Sequence, residues 1–178
     1  MARDTPDRRA QIVHAAIDDI IELGVHRATH RSIAARAAVP PGSLTYYFGG
    51  LHEIFEAAFR DMYTDMSREY RARLERATTV DAAIDAVVDL IAGDYVDDRQ
   101  MRALFEMYSF GSVNATVREY CHDWMRLSRS SLAMHFPERT ARALDALIEG
   151  WPMHRYFERR DLDRTYVRDV VQAVVRLG

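Results

Sequence analysis

The chain has 178 residues, of which 48% are hydrophobic and 29% are charged. That length suits one compact globular unit or a small module fused to a medium one, and the apolar content excludes a disordered chain. No run of roughly eighteen apolar residues occurs and the N-terminal residues are polar, so we expect neither a membrane span nor a secretory signal. The single cysteine, Cys121, excludes an intrachain disulfide and fits a cytoplasmic location.

The charge is unevenly distributed along the chain. All 24 basic side chains are arginines, and 27 acidic ones give a net charge of −3, which excludes a generally basic nucleic-acid coat but allows a local basic face. Residues 1–50 carry a net charge of +1 and the remainder carries −4. The sign of this asymmetry is right for an N-terminal module that approaches a polyanion.

Helical periodicity begins near the N-terminus. The first predicted helix carries an apolar stripe formed by Ile12, Ala16, Ile17, Ile20 and Leu23. Gly24 is placed to end this helix in a left-handed conformation. Thr29 can cap a short second helix, because its hydroxyl reaches the free amides of the first turn. Pro40-Pro41-Gly42 then interrupts the second helix, since neither proline has an amide hydrogen.

A third helix is predicted to begin at Pro41, a residue that suits the first helical position. Leu44 and Phe48, four residues apart, are expected to anchor its inner face. The side chains left for the exposed arc are Ser43, Thr45, Tyr46 and Tyr47. Two short helices joined by a tight turn behind a longer helix form the helix-turn-helix arrangement. Hydroxyls and phenols can then reach phosphate oxygens and base edges, although each tyrosine could instead be a core aromatic.

Residues 8–59 resemble the DNA-binding domain of the TetR family of bacterial transcriptional repressors. The matching segments are, in chain order, Arg9–Val13, Ala15-Ala16, Leu23-Gly24, Thr29–Ala34, Val39–Phe48 and Glu53-Ile54. The chain departs from the family pattern at three positions. Ala38 stands where the family usually has a glycine, Thr45 replaces a tyrosine, and Leu51 replaces a lysine. If Ala38 must be left-handed, the alanine costs ~1–2 kcal/mol.

The residues of the predicted helix-turn-helix and the resemblance to the TetR family together predict a set of DNA contacts. The predicted DNA-binding residues are Thr29, Arg31, Ser32, Pro41, Gly42, Ser43, Thr45, Tyr46, Tyr47 and His52. Gly42 would let the helix backbone approach a phosphate closely. Arg31 is either a solvated surface arginine or a phosphate contact. Thr29 is expected to cap its helix in either case.

The sequence pattern predicts helices in the rest of the chain as well. Gly49-Gly50 stops the third helix, and a long fourth helix starts at Leu51 and continues to about residue 74. Further helices are predicted at about 80–94, 99–109, 113–135, 138–158 and 164–177. No period-two segment predicts a strand. The sequence therefore predicts an all-α fold of about nine helices, with a helix-turn-helix domain at 1–50 and an effector-binding and dimerisation domain at 51–178.

The second predicted domain is rich in aromatic residues and methionines. These residues fill a helical core in one interpretation. The resemblance to the TetR family implies instead that some of them line an effector pocket among the middle helices. Aromatic rings with a polar tip and flexible methionines suit a small apolar molecule. The candidate ligand-binding residues are Met62, Met66, Phe105, Tyr108, Tyr120, Trp124 and Trp151.

The last two predicted helices carry wide apolar stripes that need cover. In the TetR family these helices pair with their copies as a four-helix bundle, so the resemblance implies a homodimer. The candidate interface residues are Leu144, Leu147, Ile148, Val167, Val170, Val171 and Val174. Two recognition helices would then meet successive major grooves about 34–36 Å apart.

These features predict a ligand-responsive transcriptional regulator, with repression as the expected direction. It would bind a near-palindromic operator in double-stranded DNA as a homodimer and be released by a small apolar effector. The alternative is a helical small-molecule-binding protein or protein-interaction module without DNA binding. We expect no enzyme activity, cofactor, metal or membrane partner. His26 and His30 are four residues apart but lack a third ligand at helical spacing, and nothing marks Cys121 as activated.

Overall fold

A computed structural model describes residues 7–178 of the chain. Within this range there are nine α-helices and no strand, which confirms the predicted all-α fold. The helices are α1 (Arg8–Leu23), α2 (His30–Arg36), α3 (Pro41–Tyr47), α4 (Leu51–Glu75), α5 (Val80–Ala92), α6 (Asp98–Gly111), α7 (Ala115–Leu132), α8 (Glu138–Glu158) and α9 (Arg164–Leu177). None of the helices in the described range has both the length and the apolar character needed to cross a bilayer.

Local capping contacts explain where the middle helices differ from the predicted ranges. α6 begins one residue early because Asp97 accepts a hydrogen bond of 2.7 Å from the amide of Gln100. α7 begins at Ala115 because the side-chain oxygen of Asn114 accepts one of 2.9 Å from the amide of Val117. α8 and α9 have the predicted bounds. Short polar side chains therefore set these helix starts more sharply than the apolar periodicity does.

The described residues form two compact units. The first comprises residues 7–63 and Arg102–Cys121, and the second comprises Thr64–Met101 and His122–Gly178. This division does not coincide with the one predicted at residue 50. The first half of α4 and the segment where α6 meets α7 belong with α1, α2 and α3.

Two kinds of contact hold the helix-turn-helix together in the first unit. Leu44 and Phe48 are buried, which confirms their predicted inward orientation. Arg36 at the end of α2 pairs with two carboxylates of α1, at 2.6 Å from Asp19 and 2.5 Å from Glu22. The hydrogen bonds that Arg36 donates to the carboxylates of Glu22 and Asp19 raise the pKa of Arg36 above its usual value. These ion pairs fix the end of α2 on α1.

The second unit has a core that contains polar groups as well as apolar ones. The phenol of Tyr95 donates a hydrogen bond of 2.8 Å to the carbonyl of Met66, and Ser128 donates one of 3.0 Å to the phenol of Tyr70. Burial raises the pKa of both tyrosines well above the usual value. Asp145 is also buried, and its partner Arg129 lies 3.3 Å away. Each phenol in this core therefore has a hydrogen-bond partner.

Candidate nucleic-acid interface

The start of α2 is held by a reciprocal capping box. The amide of Ser32 donates to the hydroxyl of Thr29 at 3.1 Å, and the amide of Thr29 donates to the hydroxyl of Ser32 at 2.9 Å. The Ser32 hydroxyl also donates to the carbonyl of Thr29 at 3.0 Å. Thr29 and Ser32, which are both predicted DNA contacts, thus cap the start of α2. Arg31, which lies between them, is exposed.

The turn between α2 and α3 is left-handed at an alanine. Ala38 has a φ of 51°, so the strain expected at this position is present. The amide of Val39 donates to the carbonyl of Ala34 at 3.1 Å, and the amide of Ala38 donates to that of Ala35 at 3.2 Å. This pair of bonds is the Schellman motif, which normally places a glycine at the left-handed position.

α3 presents its tyrosines to the outside. Tyr46 is 81% exposed and Tyr47 is half-buried, with their rings edge to face at 4.8 Å. Pro41 is the first residue of α3, as predicted. Thr45 is exposed, and its hydroxyl donates to the carbonyl of Gly42 at 3.1 Å. Most of the Tyr46 ring is therefore accessible to a partner.

An open depression lies beside the exposed end of α3. It is lined by Arg8, Pro40, Gly42, Ser43, Tyr46 and Tyr47. The lining combines one guanidinium with hydroxyls and phenols, groups that donate hydrogen bonds to phosphate oxygens. Arg8 was not among the predicted contacts, because only the fold brings the start of α1 beside α3. The neighbouring Arg9 has its guanidinium 5.0 Å from the centre of the Phe48 ring.

At the start of α4, a side chain of the helix binds one of the two glycine amides that precede it. The amide of Gly49 donates to the carboxylate of Glu53 at 2.6 Å, so that amide is already occupied. His52 is exposed, and its ring meets that of Phe110 edge to face at 5.5 Å. Leu51, in the place of the family's usual lysine, is half-buried.

The candidate ligand-binding residues fall in both units. Met62, Phe105, Tyr108 and Tyr120 are half-buried in the first unit, where the Tyr120 ring lies 5.4 Å from that of Tyr63. Burial raises the pKa of Tyr120 above its usual value.

The other three candidates lie in the second unit. Met66 and Trp124 are buried, and the Trp124 indole donates to Glu149 at 2.6 Å. Trp151 is half-buried, and its ring stacks on Tyr166 at 6.0 Å. Trp124 and Trp151 therefore differ in exposure as well as in their partners.

The candidate dimer residues divide into two groups. Leu144, Ile148, Val167 and Val171 are buried within the second unit and have almost no surface left to bury in an interface. This corrects their assignment, because an apolar stripe does not reveal whether its own chain or a second chain covers it. Leu147, Val170 and Val174 retain accessible surface.

An apolar surface that remains accessible follows spacings of three and four residues along each of these two helices. We call it the α8–α9 apolar strip, formed by Ala143, Ala146, Leu147, Gly150, Met153 and Phe157 of α8 and by Tyr166, Val170, Ala173 and Leu177 of α9. Phe157 is 67% exposed and Leu177 is 80% exposed. Exposed apolar side chains that recur along a helix face are typical of interaction surfaces.

Among residues 7–178, no three histidine, cysteine, aspartate or glutamate side chains are arranged to hold a metal ion.

Comparison with known proteins reveals the family. A model of bacterial regulatory proteins of the tetR family matches residues 12–58. The HTH-type transcriptional regulator BetI 1 of Chromohalobacter salexigens is 30% identical over 161 residues, which cover 82% of this chain and 77% of that regulator. The structure of SCO7518 from Streptomyces coelicolor A3(2), a candidate transcriptional regulator, is 36% identical with a TM-score of 0.87, and covers 96% of this chain and 99% of that one. The chain belongs to the TetR family.

The structural neighbours also include a ligand-binding protein. EbrR, a multidrug binding protein solved with imidazole, is 26% identical with a TM-score of 0.78, and covers 96% of this chain and 90% of EbrR. As a member of the TetR family, this chain is a DNA-binding transcriptional regulator and not an enzyme. The residues matched by the family model include all of α2 and α3, the helices that carry Arg31 and Tyr46.

Proposed function

We propose that this TetR-family regulator is a cytoplasmic repressor that binds a near-palindromic operator as a homodimer and is released by a small effector with apolar or aromatic character. The observation that carries the proposal is the exposed phenol of Tyr46 on a helix that begins with Pro41-Gly42. An aromatic ring that is 81% exposed contributes little to the core, yet it stands beside donors suited to phosphate.

DNA binding is tested with a duplex that the wild-type protein selects from a random pool. Replacing Tyr46 with alanine is expected to weaken binding roughly tenfold or more while the protein stays folded, because a good base or phosphate contact contributes about 1–3 kcal/mol. Tyr46→Phe separates the hydroxyl from the ring. Val113→Ala is the matched control, since Val113 is 80% exposed in the same unit but lies outside α2 and α3.

Two outcomes would contradict the repressor proposal. Wild-type protein that selects no duplex but binds small molecules would favour the alternative of a ligand-binding protein without DNA binding. If Tyr46→Ala protein binds the selected duplex as tightly as wild type, α3 is not part of the DNA interface.

Homodimerisation is supported by the α8–α9 apolar strip. Gly150 lies within the strip, and a Cβ added there would meet nothing within 4 Å. Gly150→Leu is therefore expected to leave the fold intact, because a Cβ there enters open space and the change raises helix propensity. It should nevertheless weaken association, because the new side chain would hold a partner helix away. Sedimentation equilibrium measures this association, with Val113→Leu as the control. If Gly150→Leu dimerises as tightly as wild type, α8 does not form the interface at this position.

An aromatic effector is supported by the EbrR structures, which contain ethidium, malachite green and proflavin at 25% identity to this chain. These dyes serve as probes for the candidate pocket. In a Trp151→Phe variant the fluorescence of Trp124 alone reports binding, and Trp124→Phe is its matched control. Quenching of Trp124 together with release of the selected duplex is expected. Dye binding that leaves operator affinity unchanged at saturation would contradict the proposed release mechanism.

A further inference from the structure

A carboxylate of α6 lies against the turn between α1 and α2. The Glu106 side chain accepts a hydrogen bond of 2.9 Å from the amide of Val25, a residue 81 positions earlier in the chain. At Gly24 the backbone has a φ of 81° and a ψ of 153°, a region open essentially to glycine alone. A Cβ on Gly24 would lie 3.3 Å from the Glu106 carboxylate, so a larger residue there would crowd it.

Another backbone group of this turn forms hydrogen bonds within the turn itself. The carbonyl of Gly24 accepts hydrogen bonds of 3.1 Å from the amides of Arg27 and Ala28, while the Val25 amide donates to Glu106. Val25 is buried, with 8% of its surface exposed. Without the carboxylate, a nearly buried amide would lose its partner, which is costly in a low-dielectric site.

The end of α6 and the segment that follows it make two further contacts within the first unit. Phe110 lies against three rings of α4, with centroids 5.5 Å from His52, 5.9 Å from Phe55 and 6.0 Å from Phe59. The amide group of Asn114 then donates to Glu56 at 2.9 Å. Glu106 thus lies on a helix end that is fixed at several points, so it provides a rigid reference for the turn.

We propose that Glu106 is a positioning residue for DNA binding, which acts through the Val25 amide on the orientation of α2 and α3. The turn continues directly into Thr29, the cap of α2, and the Schellman turn at Ala38 then connects α2 to α3. Each link in this path is a hydrogen-bonded turn or a short helix, so a shift at Val25 is carried to Tyr46. This proposal rests on the DNA-binding function but not on the effector.

Three variants test the role of Glu106, with the duplex selected by wild-type protein as the probe. Glu106→Ala removes the acceptor, and we expect operator affinity to fall roughly fivefold or more. Glu106→Gln keeps a side-chain oxygen of the same reach, so affinity should stay within about twofold of wild type. Glu119→Ala, which removes an exposed carboxylate of α7 from the same unit, should have no effect.

Two further measurements separate positioning from general stability. Amide exchange at Val25 should become faster in Glu106→Ala but not in Glu106→Gln. Ile12→Val weakens the core of the same unit at a residue of α1 outside the turn, and its operator affinity per folded protein should remain that of wild type.

The outcomes distinguish this proposal from the function on which it rests. Folded Glu106→Ala protein with wild-type affinity, or equal losses in the alanine and glutamine variants, would overturn the positioning role alone. Wild-type protein that selects no duplex would overturn both the DNA-binding function and this proposal.

Discussion

Replacing Ala38 with glycine should stabilise the protein. Ala38 is exposed and has a φ of 51°, so its methyl group adds strain without filling a buried space. The two hydrogen bonds of the Schellman turn come from the backbone amides of Ala38 and Val39, and glycine keeps both of them. The substitution therefore removes the strain and leaves every bond of the turn in place.

The expected magnitude is a difference between two opposing effects. The left-handed conformation costs an alanine ~1–2 kcal/mol relative to glycine. Glycine in turn increases the backbone entropy of the unfolded chain, which lowers stability by ~0.4–1 kcal/mol. The free energy of unfolding of Ala38→Gly should therefore rise by about 0.8 kcal/mol, the difference between the midpoints of these two ranges.

Ala35→Gly provides a control of opposite sign. Ala35 is also exposed, but it lies inside α2 in right-handed geometry. The same chemical change there should lower the free energy of unfolding by ~1 kcal/mol, because glycine is a poor helix former. Urea unfolding followed by far-UV circular dichroism measures both variants, at one protein concentration because association contributes to stability. If Ala38→Gly is destabilised as much as Ala35→Gly, the left-handed strain at this turn does not exist.

Four further results are expected. Burial raises the pKa of Asp145 above its unfolded value of 3.8, so the native state holds this proton more tightly. Wild-type stability should therefore fall as pH rises through the folded pKa, and Asp145→Asn should remove that fall in urea unfolding measured from acid to neutral pH. Tyr70 and Tyr95 should ionise only on unfolding, seen as delayed phenolate absorbance in an alkaline titration. Arg159, with a φ of 52° at the end of α8, should tolerate glycine with a gain of about 0.5–1 kcal/mol in urea unfolding. Operator affinity should fall steeply with salt as counterions are released from the phosphates.

The features that could be predicted from the sequence are those set by neighbouring residues. Thr29 caps α2 through a hydroxyl three residues from its partner amide, and Pro41 begins α3 because it needs no amide partner. The inward orientation of Leu44 and Phe48 follows from their spacing of four. Each of these interactions lies within one helical turn, so the local sequence contains both partners.

Contacts between distant segments could not be predicted in the same way. Glu106 is one of many acidic residues in the sequence, and nothing near it indicates a hydrogen bond to Val25. Arg36 likewise has no marker for its pairing with Asp19 and Glu22, which depends on how α2 crosses α1. The fold determines such pairings, because the local sequence does not distinguish one carboxylate on a helix surface from another.

The apolar residues of α8 show where periodicity alone fails to assign a role. Leu144 and Ile148, four residues apart, are buried, whereas Leu147 and Phe157 occupy a different arc and retain exposed surface. At 100° per residue, the two arcs adjoin on the helix surface. Their apolar positions therefore form one wide stripe when the helix is judged from the sequence alone. Composition separates them better, because the outer arc contains Gly150 and alanines, and small residues allow two helix backbones to approach closely. In α8 the core of the chain covers one arc, and the other arc keeps accessible surface.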